Sequence, residues 1–180
     1  MKTVVGISGS LRKASYNSAL LRAAVERAPE GMRIEVASIR EIPLYDGDVE
    51  AAGVPPAVAA LKDVVAASDG LLLVTPEYNF SIPGVLKNAI DWLSRPPKDI
   101  ARVFADRPVA LIGATTGRSG TRFAQTAFLP VFRTLRMRPF FGRQLYVSEA
   151  AKVFDASGAL VDDFISKELT ALLADFSTFI

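Results

Sequence analysis

The chain has 180 residues, half of them hydrophobic, with 21 Lys and Arg against 19 Asp and Glu and with neither cysteine nor histidine. That length and apolar content suit one substantial core, and no Gly/Ser/Pro-rich linker divides the chain, so residues 1–180 read as a single globular domain. Without Cys and His there is no disulfide, thiolate nucleophile, zinc–thiolate site or imidazole base, so most hydrolase triads are excluded and chemistry carried by an organic cofactor remains.

Thr3 to Ile7 reads as a first strand; its apolar run is too short for a signal peptide or a membrane span, which makes a cytoplasmic location the default. A helix follows from Asn17 to Arg27, with Leu20, Leu21, Ala24, Val25 and Ala28 on one face and Ser15, Asn17 and Ser18 each able to cap it. Arg33 to Ile39 is a second strand. Arg40 to Pro56 reads as a loop with a turn at Asp46 and Gly47, and a helix then runs through Val58, Leu61, Val64 and Val65. Gly70 to Thr75 is continuously apolar, as a strand covered on both faces must be, and Pro76 ends its capacity to donate ladder bonds. Pro83 opens a further helix in which Val85, Leu86, Ala89, Ile90 and Leu93 recur at helical spacing. Lys87, Asn88 and Asp91 form its wet face, while Trp92 suits a core or a subunit interface better than a cofactor contact.

Arg95 to Asp106 is a proline-containing connector, and Pro108 to Ala114 a fourth buried strand that ends in the polar loop Thr115 to Gly120. The next helix, through Phe123, Phe128, Val131, Phe132 and Leu135, is expected to kink near Ala127 because of Pro130. A fifth strand is expected over Phe140 to Val147, a turn over Asp155 to Gly158 and a last amphipathic helix over Val161 to Phe179. Strands alternating with helices imply βαβ units, hence an α/β fold: a three-layer α/β/α sandwich around a five-stranded parallel sheet. If the strand order is 2-1-3-4-5, the loops after strands one, three and four lie side by side at the switch point, where open parallel sheets hold their ligands.

Those three loops carry the chemistry. Gly9 to Ser18 brings hydroxyls, Arg12, Lys13 and unsatisfied helix N–H groups to one place, which suits an anion. It has neither the glycines of a dinucleotide loop nor the GK[ST] ending of a P-loop. Pro76, Glu77, Tyr78 and Asn79 bring an acid, a phenol and a carboxamide to a strand end, which suits a flat polar ligand. Thr115, Thr116 and Gly117 offer N–H groups to a ligand carbonyl. Each set also has a plainer reading: a capped helix start with a solvated Arg, a loop carboxylate with a packing tyrosine and a turn asparagine, and a simple turn. Arg118 suits a surface cation as well as an anion ligand. The remaining Lys and Arg are scattered rather than striped, so small anions fit this chain better than nucleic acid.

GSLRKASYNSAL from Gly9 to Leu20 and PEYNFSIPGVLKNAIDWLSRP from Pro76 to Pro96 closely resemble the NADPH-dependent FMN reductases, in particular their soluble quinone and chromate reductases. The resemblance implies a flavodoxin-like fold over essentially the whole chain, with the last third matching loosely, and one FMN per subunit. It implies the phosphate on Ser10, Arg12, Ser15, Asn17 and Ser18, the isoalloxazine against Pro76, Glu77, Tyr78 and Asn79, and its pyrimidine edge near Thr115, Thr116 and Gly117. Arg118 and Ser119 stand where related proteins often carry more glycine. Homodimers or homotetramers, with the helix after Pro83 near the interface, are implied as well.

Such a site needs no nucleophilic side chain and no metal: hydride from NADPH or NADH would reach flavin N5 and pass on to a quinone, with chromate, azo compounds and free flavin as further acceptors. Glu77 and Tyr78 then have binding roles only. Two other readings share the fold: a non-enzymatic flavodoxin-like electron carrier, a type that is typically acidic where this chain carries a net +2, and a flavin-free regulatory or interaction module.

Overall fold

A computed structural model of the protein describes residues 1–180. Four strands, β1 (Lys2–Ser8), β2 (Met32–Ala37), β3 (Gly70–Val74) and β4 (Pro108–Ala114), lie parallel in the order β2-β1-β3-β4, as the sequence pattern predicts. Side chains alternate between the two faces of the sheet. Val4, Leu72, Val74 and Ile112 enter the core under α1 (Tyr16–Glu26) and α9 (Asp163–Phe179). Val5, Ile7, Leu71, Leu73 and Val109 enter the other, under α3 (Pro56–Ala66) and α4 (Gly84–Leu93). Two buried clusters on opposite faces make the three layers, and they explain why β3 is apolar throughout.

The expected fifth strand over Phe140 to Val147 forms only at its far end. β5 (Arg138–Pro139) pairs with Pro108 and Val109, β6 (Tyr146–Val147) pairs with Gly113 and Ala114, and six strands stand where five were expected. Seven residue steps separate Pro139 from Tyr146 but only four separate Val109 from Gly113, so three extra residues leave the ladder as a bulge. Phe140 explains the departure: its ring packs against Phe176 and Phe179 of α9, with centroids 5.6 and 5.4 Å away, and folds back over Gly142.

Three short helices arise where loops were expected. α2 (Gly47–Ala52) starts at Asp46, whose carboxylate accepts from the Asp48 N–H, so the turn at Asp46 and Gly47 is a capped helix start. Glu50 of α2 accepts from the Tyr45 hydroxyl and from Arg95, and these bonds lower its carboxyl and raise the Tyr45 phenol from their ordinary values. The Arg95–Asp106 connector contains a 3-10 turn (Pro97–Asp99) and α5 (Ile100–Val103). The helix expected to kink near Ala127 is two, α6 (Arg122–Ala127) and α7 (Leu129–Thr134), broken at Phe128 just ahead of Pro130. α8 (Ala150–Val153) follows β6.

Trp92 is fully buried within its own chain, donating from Nε1 to the Pro43 carbonyl at 2.9 Å with Tyr45 edge-on at 5.0 Å. Asn88 is less simply wet than its position suggests, since it bonds both the Tyr45 N–H and the Pro43 carbonyl. No helix of the chain is long and apolar enough to cross a membrane.

Candidate functional site

The loops after β1, β3 and β4 converge on one cleft at the carboxyl edge of the sheet. Nine of the twelve candidate residues line it: Ser10, Arg12, Ser15, Asn17, Pro76, Glu77, Tyr78, Thr115 and Thr116. Ser18, Asn79 and Gly117 stand outside its wall, and Tyr16 and Ala114, which no motif argument singled out, belong to it. Tyr16 is carried on the first turn of α1 and stacks on Phe154 at 5.8 Å, a contact 138 residues away in sequence that periodicity does not reveal.

Each loop is held by identifiable bonds. Gly9 donates to the Val74 carbonyl, and a Cβ there would lie 2.8 Å from Leu86 and 3.1 Å from Pro76, so the loop after β1 sits hard against the loop after β3. Ser15 caps α1, its hydroxyl accepting from the N–H groups of Asn17 and Ser18 at 3.2 and 3.3 Å. The N–H groups of Lys13, Ala14, Ser15 and Tyr16 have no acceptor in the chain. The hydroxyl hydrogens of Ser10 and Ser15 also remain available, since each oxygen acts only as acceptor in its own loop.

Asn17 and Ser18 do different work from their neighbours. The Asn17 carboxamide is bonded at both ends to Ala114, giving to its carbonyl at 2.8 Å and accepting from its N–H at 2.9 Å, which ties α1 to the end of β4. Ser18 donates to the Ser8 hydroxyl at 3.0 Å. Both side chains therefore brace the loop, and the donors left at the cleft are Ser10, Arg12, Ser15, the second N–H of the Asn17 amide and the main chain.

Tyr78 and Ser81 exchange main-chain bonds around Asn79 and Phe80, whose φ values of 50° and 58° make a tight turn of the hairpin type. An asparagine tolerates that conformation; a phenylalanine there is strained. Phe80 projects into solvent and meets the exposed Phe123 ring edge-on at 5.0 Å.

Glu77 is half-buried and not free. Its carboxylate accepts from the Ser119 hydroxyl at 2.6 Å and from the N–H groups of Phe123 and Ala124 at 2.9 and 3.0 Å. It thereby caps α6, whose own N-cap residue, Thr121, makes no side-chain capping bond. The carboxylate thus joins the loop after β3 to the loop after β4. Ser119 was missed as a member of the site; the departure from glycine at that position was the available signal.

Of the three N–H groups expected to face a ligand carbonyl, that of Thr115 is bonded to Val147 and that of Gly117 to the Thr115 hydroxyl, at 2.9 and 3.3 Å. Only the Thr116 N–H has no acceptor in the chain. Arg118 is exposed. The cleft thus presents cationic and N–H donors at one end, a wall built on Pro76 and Tyr78 along one side, and a free N–H at the other end. A ligand with an anionic tail, a flat body and a polar edge fits that donor set.

The profile of the NADPH-dependent FMN reductase family matches residues 2–152. An NAD(P)H-dependent FMN reductase of Pseudomonas aeruginosa is 48% identical over 173 residues, 94% of this chain and 92% of that protein. An NADPH:quinone oxidoreductase of Arabidopsis thaliana is 38% identical over 183 residues, covering 98% of this chain and 90% of its own. Among solved structures, FerB, a flavoenzyme NAD(P)H:(acceptor) oxidoreductase from Paracoccus denitrificans, superposes with a TM-score of 0.88 at 32% identity, over 99% of this chain and 96% of that one.

Proposed function

The chain belongs to the NADPH-dependent FMN reductase family, and we propose from this that residues 1–180 form one FMN-binding domain whose cleft holds the cofactor in a single orientation. It is an FMN-dependent NAD(P)H oxidoreductase with a flavodoxin-like fold. The phosphate lies in the β1 loop on Ser10, Arg12, Ser15 and the free N–H groups of residues 13–16, with Asn17 and Ser18 bracing that loop. The ring lies against Pro76 and Tyr78, beside Glu77 and Asn79, and its pyrimidine edge meets Thr116 between Thr115 and Gly117. The observation that carries this reading is the convergence of the three loops on one cleft, with the unbonded donors at its two ends.

When bound, FMN would supply the redox chemistry, two-electron transfer between a nicotinamide nucleotide and an acceptor. The chain contributes position and electrostatics. Arg12 and the loop N–H groups neutralise the phosphate and fix the depth of the ring. The Thr116 N–H donates to the ring edge where negative charge collects. Tyr78 is 46% exposed, so the cleft opens to solvent at the ring and lets donor and acceptor occupy one face in turn. No side chain is required as an acid, and water supplies the protons of the product.

Quinones are the acceptors this reading favours, since relatives carry that name, with chromate, azo compounds and free flavin as further candidates. It also takes the protein to be cytoplasmic and to act as a homodimer or homotetramer. The purified protein is expected to be yellow, to release FMN on denaturation and to oxidise NADPH at 340 nm when benzoquinone is added. A colourless protein with no thermal shift on adding FMN would sink the reading. Arg12→Ala, which removes a charge-assisted contact, is expected to weaken FMN binding about tenfold or more. Turnover per bound flavin should be unchanged in that variant, and equal FMN affinity in variant and wild type would contradict the phosphate assignment.

A further inference from the structure

A second, open depression lies across the β1 loop from the flavin cleft and shares Arg12, Ser15 and Tyr16 with it. Its far wall is Arg22 of α1 and the turn from Asp155 to Gly158. Arg12, Lys13 and Arg22 all border it, and none of the three pairs with a carboxylate, whereas Lys87, Arg95, Arg102 and Arg143 each do. The one acid on the wall, Asp155, is already committed. Its carboxylate accepts from the Ser157 hydroxyl and from the N–H groups of Ser157 and Ala159, bonds that hold its carboxyl below the ordinary value. With Arg12 taken up by the FMN phosphate, Lys13 and Arg22 remain on this wall, and Asp155, though ionised, spends its oxygens within its own turn and pairs with neither. Arg22 is also seated: a Cβ at Gly158, where φ is +81°, would lie 2.7 Å from its Nη2 atom, so the guanidinium rests on bare backbone.

We propose that this depression receives the 2′-phosphate of NADPH and that Arg22 is the residue that distinguishes NADPH from NADH. The proposal rests on the reading that FMN fills the adjoining cleft, from which a dinucleotide with its nicotinamide over the flavin would extend across Arg12. A phosphomonoester dianion matches the two cations Lys13 and Arg22, and a planar guanidinium can grip it with two parallel bonds. NADH carries no group that would use them.

The test titrates the FMN-loaded protein with adenosine 2′,5′-bisphosphate and with AMP by calorimetry, and measures KM for NADPH and NADH in wild type, Arg22→Ala and Arg22→Lys. Wild type is expected to bind the bisphosphate about tenfold or more tightly than AMP, and Arg22→Ala to abolish that preference. KM for NADPH should rise by the same factor in Arg22→Ala, with KM for NADH, kcat and flavin content unchanged, and Arg22→Lys should keep part of the preference. Equal affinities in wild type, or a KM that rises alike for both nucleotides, as a pyrophosphate contact would give, overturns the proposal. A protein that binds no flavin fails the functional reading separately, and the bisphosphate preference and its loss in Arg22→Ala still judge the depression.

Discussion

Gly113→Ala is expected to cost the protein both its stability and its flavin. Gly113 is the second-last residue of β4, and a Cβ there would lie 2.1 Å from the Thr75 carbonyl oxygen and 2.5 Å from the Thr121 hydroxyl. Neither obstacle is a flexible side-chain end. Thr75 is bonded to Ile112 through its own N–H and precedes Pro76, and Thr121 is fully buried, with φ at +69° and a bond from Gln125. To admit a methyl group the ends of β3 and β4 must separate, and these two ends carry Pro76 and Thr115 into the cleft. Forced overpacking against backbone belongs to the exceptional class of substitutions, about 4 kcal/mol or more. For a chain of this length that corresponds to a fall in Tm of roughly 10 °C or more. Gly117→Ala is the control, because its Cβ would meet nothing closer than the Thr115 hydroxyl at 3.7 Å. Thermal unfolding followed by circular dichroism, with FMN content measured on the same samples, checks both. A Gly113→Ala protein that melts with wild type and stays yellow would show that the strand ends yield freely.

The parallel sheet and its switch point were legible because their signals are local. A continuous apolar run marks β3 and β4, and proline and glycine mark their ends. The divided fifth strand was not legible, because the chain leaves the ladder after Phe140, whose N–H still donates to Val109 while its ring packs on Phe176 and Phe179, more than thirty residues away. The same contrast holds in the site. Residue type and position brought nine candidates to one cleft, but they did not show that Asn17 spends both ends of its amide on Ala114, or that Tyr16 is set by Phe154. A motif reports which residues gather at a sheet edge. Which of them touch the ligand and which brace the others depends on partners far away in sequence.

Glu77 gives the sharpest case, because a carboxylate in the proposed flavin cleft invites an acid–base role that its surroundings refuse. Its two oxygens accept three hydrogen bonds, from Ser119, Phe123 and Ala124, and they hold together the two loops between which the proposed ring site lies. Glu77→Ala leaves the α6 N–H groups without an acceptor and should cost about 2–3 kcal/mol, the range for bonds to a charged group. Glu77→Gln keeps the size but offers a single acceptor oxygen, so it should lose roughly half as much. Because the loops part, FMN affinity should fall in both variants, more in Glu77→Ala. Turnover per bound flavin and its pH profile should stay as in wild type, since no proton passes through this group. A general acid would behave in the opposite way, with Glu77→Gln retaining flavin but losing turnover and one limb of the pH profile. Ser119→Ala separates the two further. If Ser119 and Glu77 act as one brace, its cost in stability should largely vanish in the Glu77→Ala background, a non-additivity of about 1 kcal/mol that denaturant unfolding resolves. Simple additivity of the two substitutions would mean that the carboxylate holds α6 alone, and that Ser119 owes its place in the loop to something other than this bond.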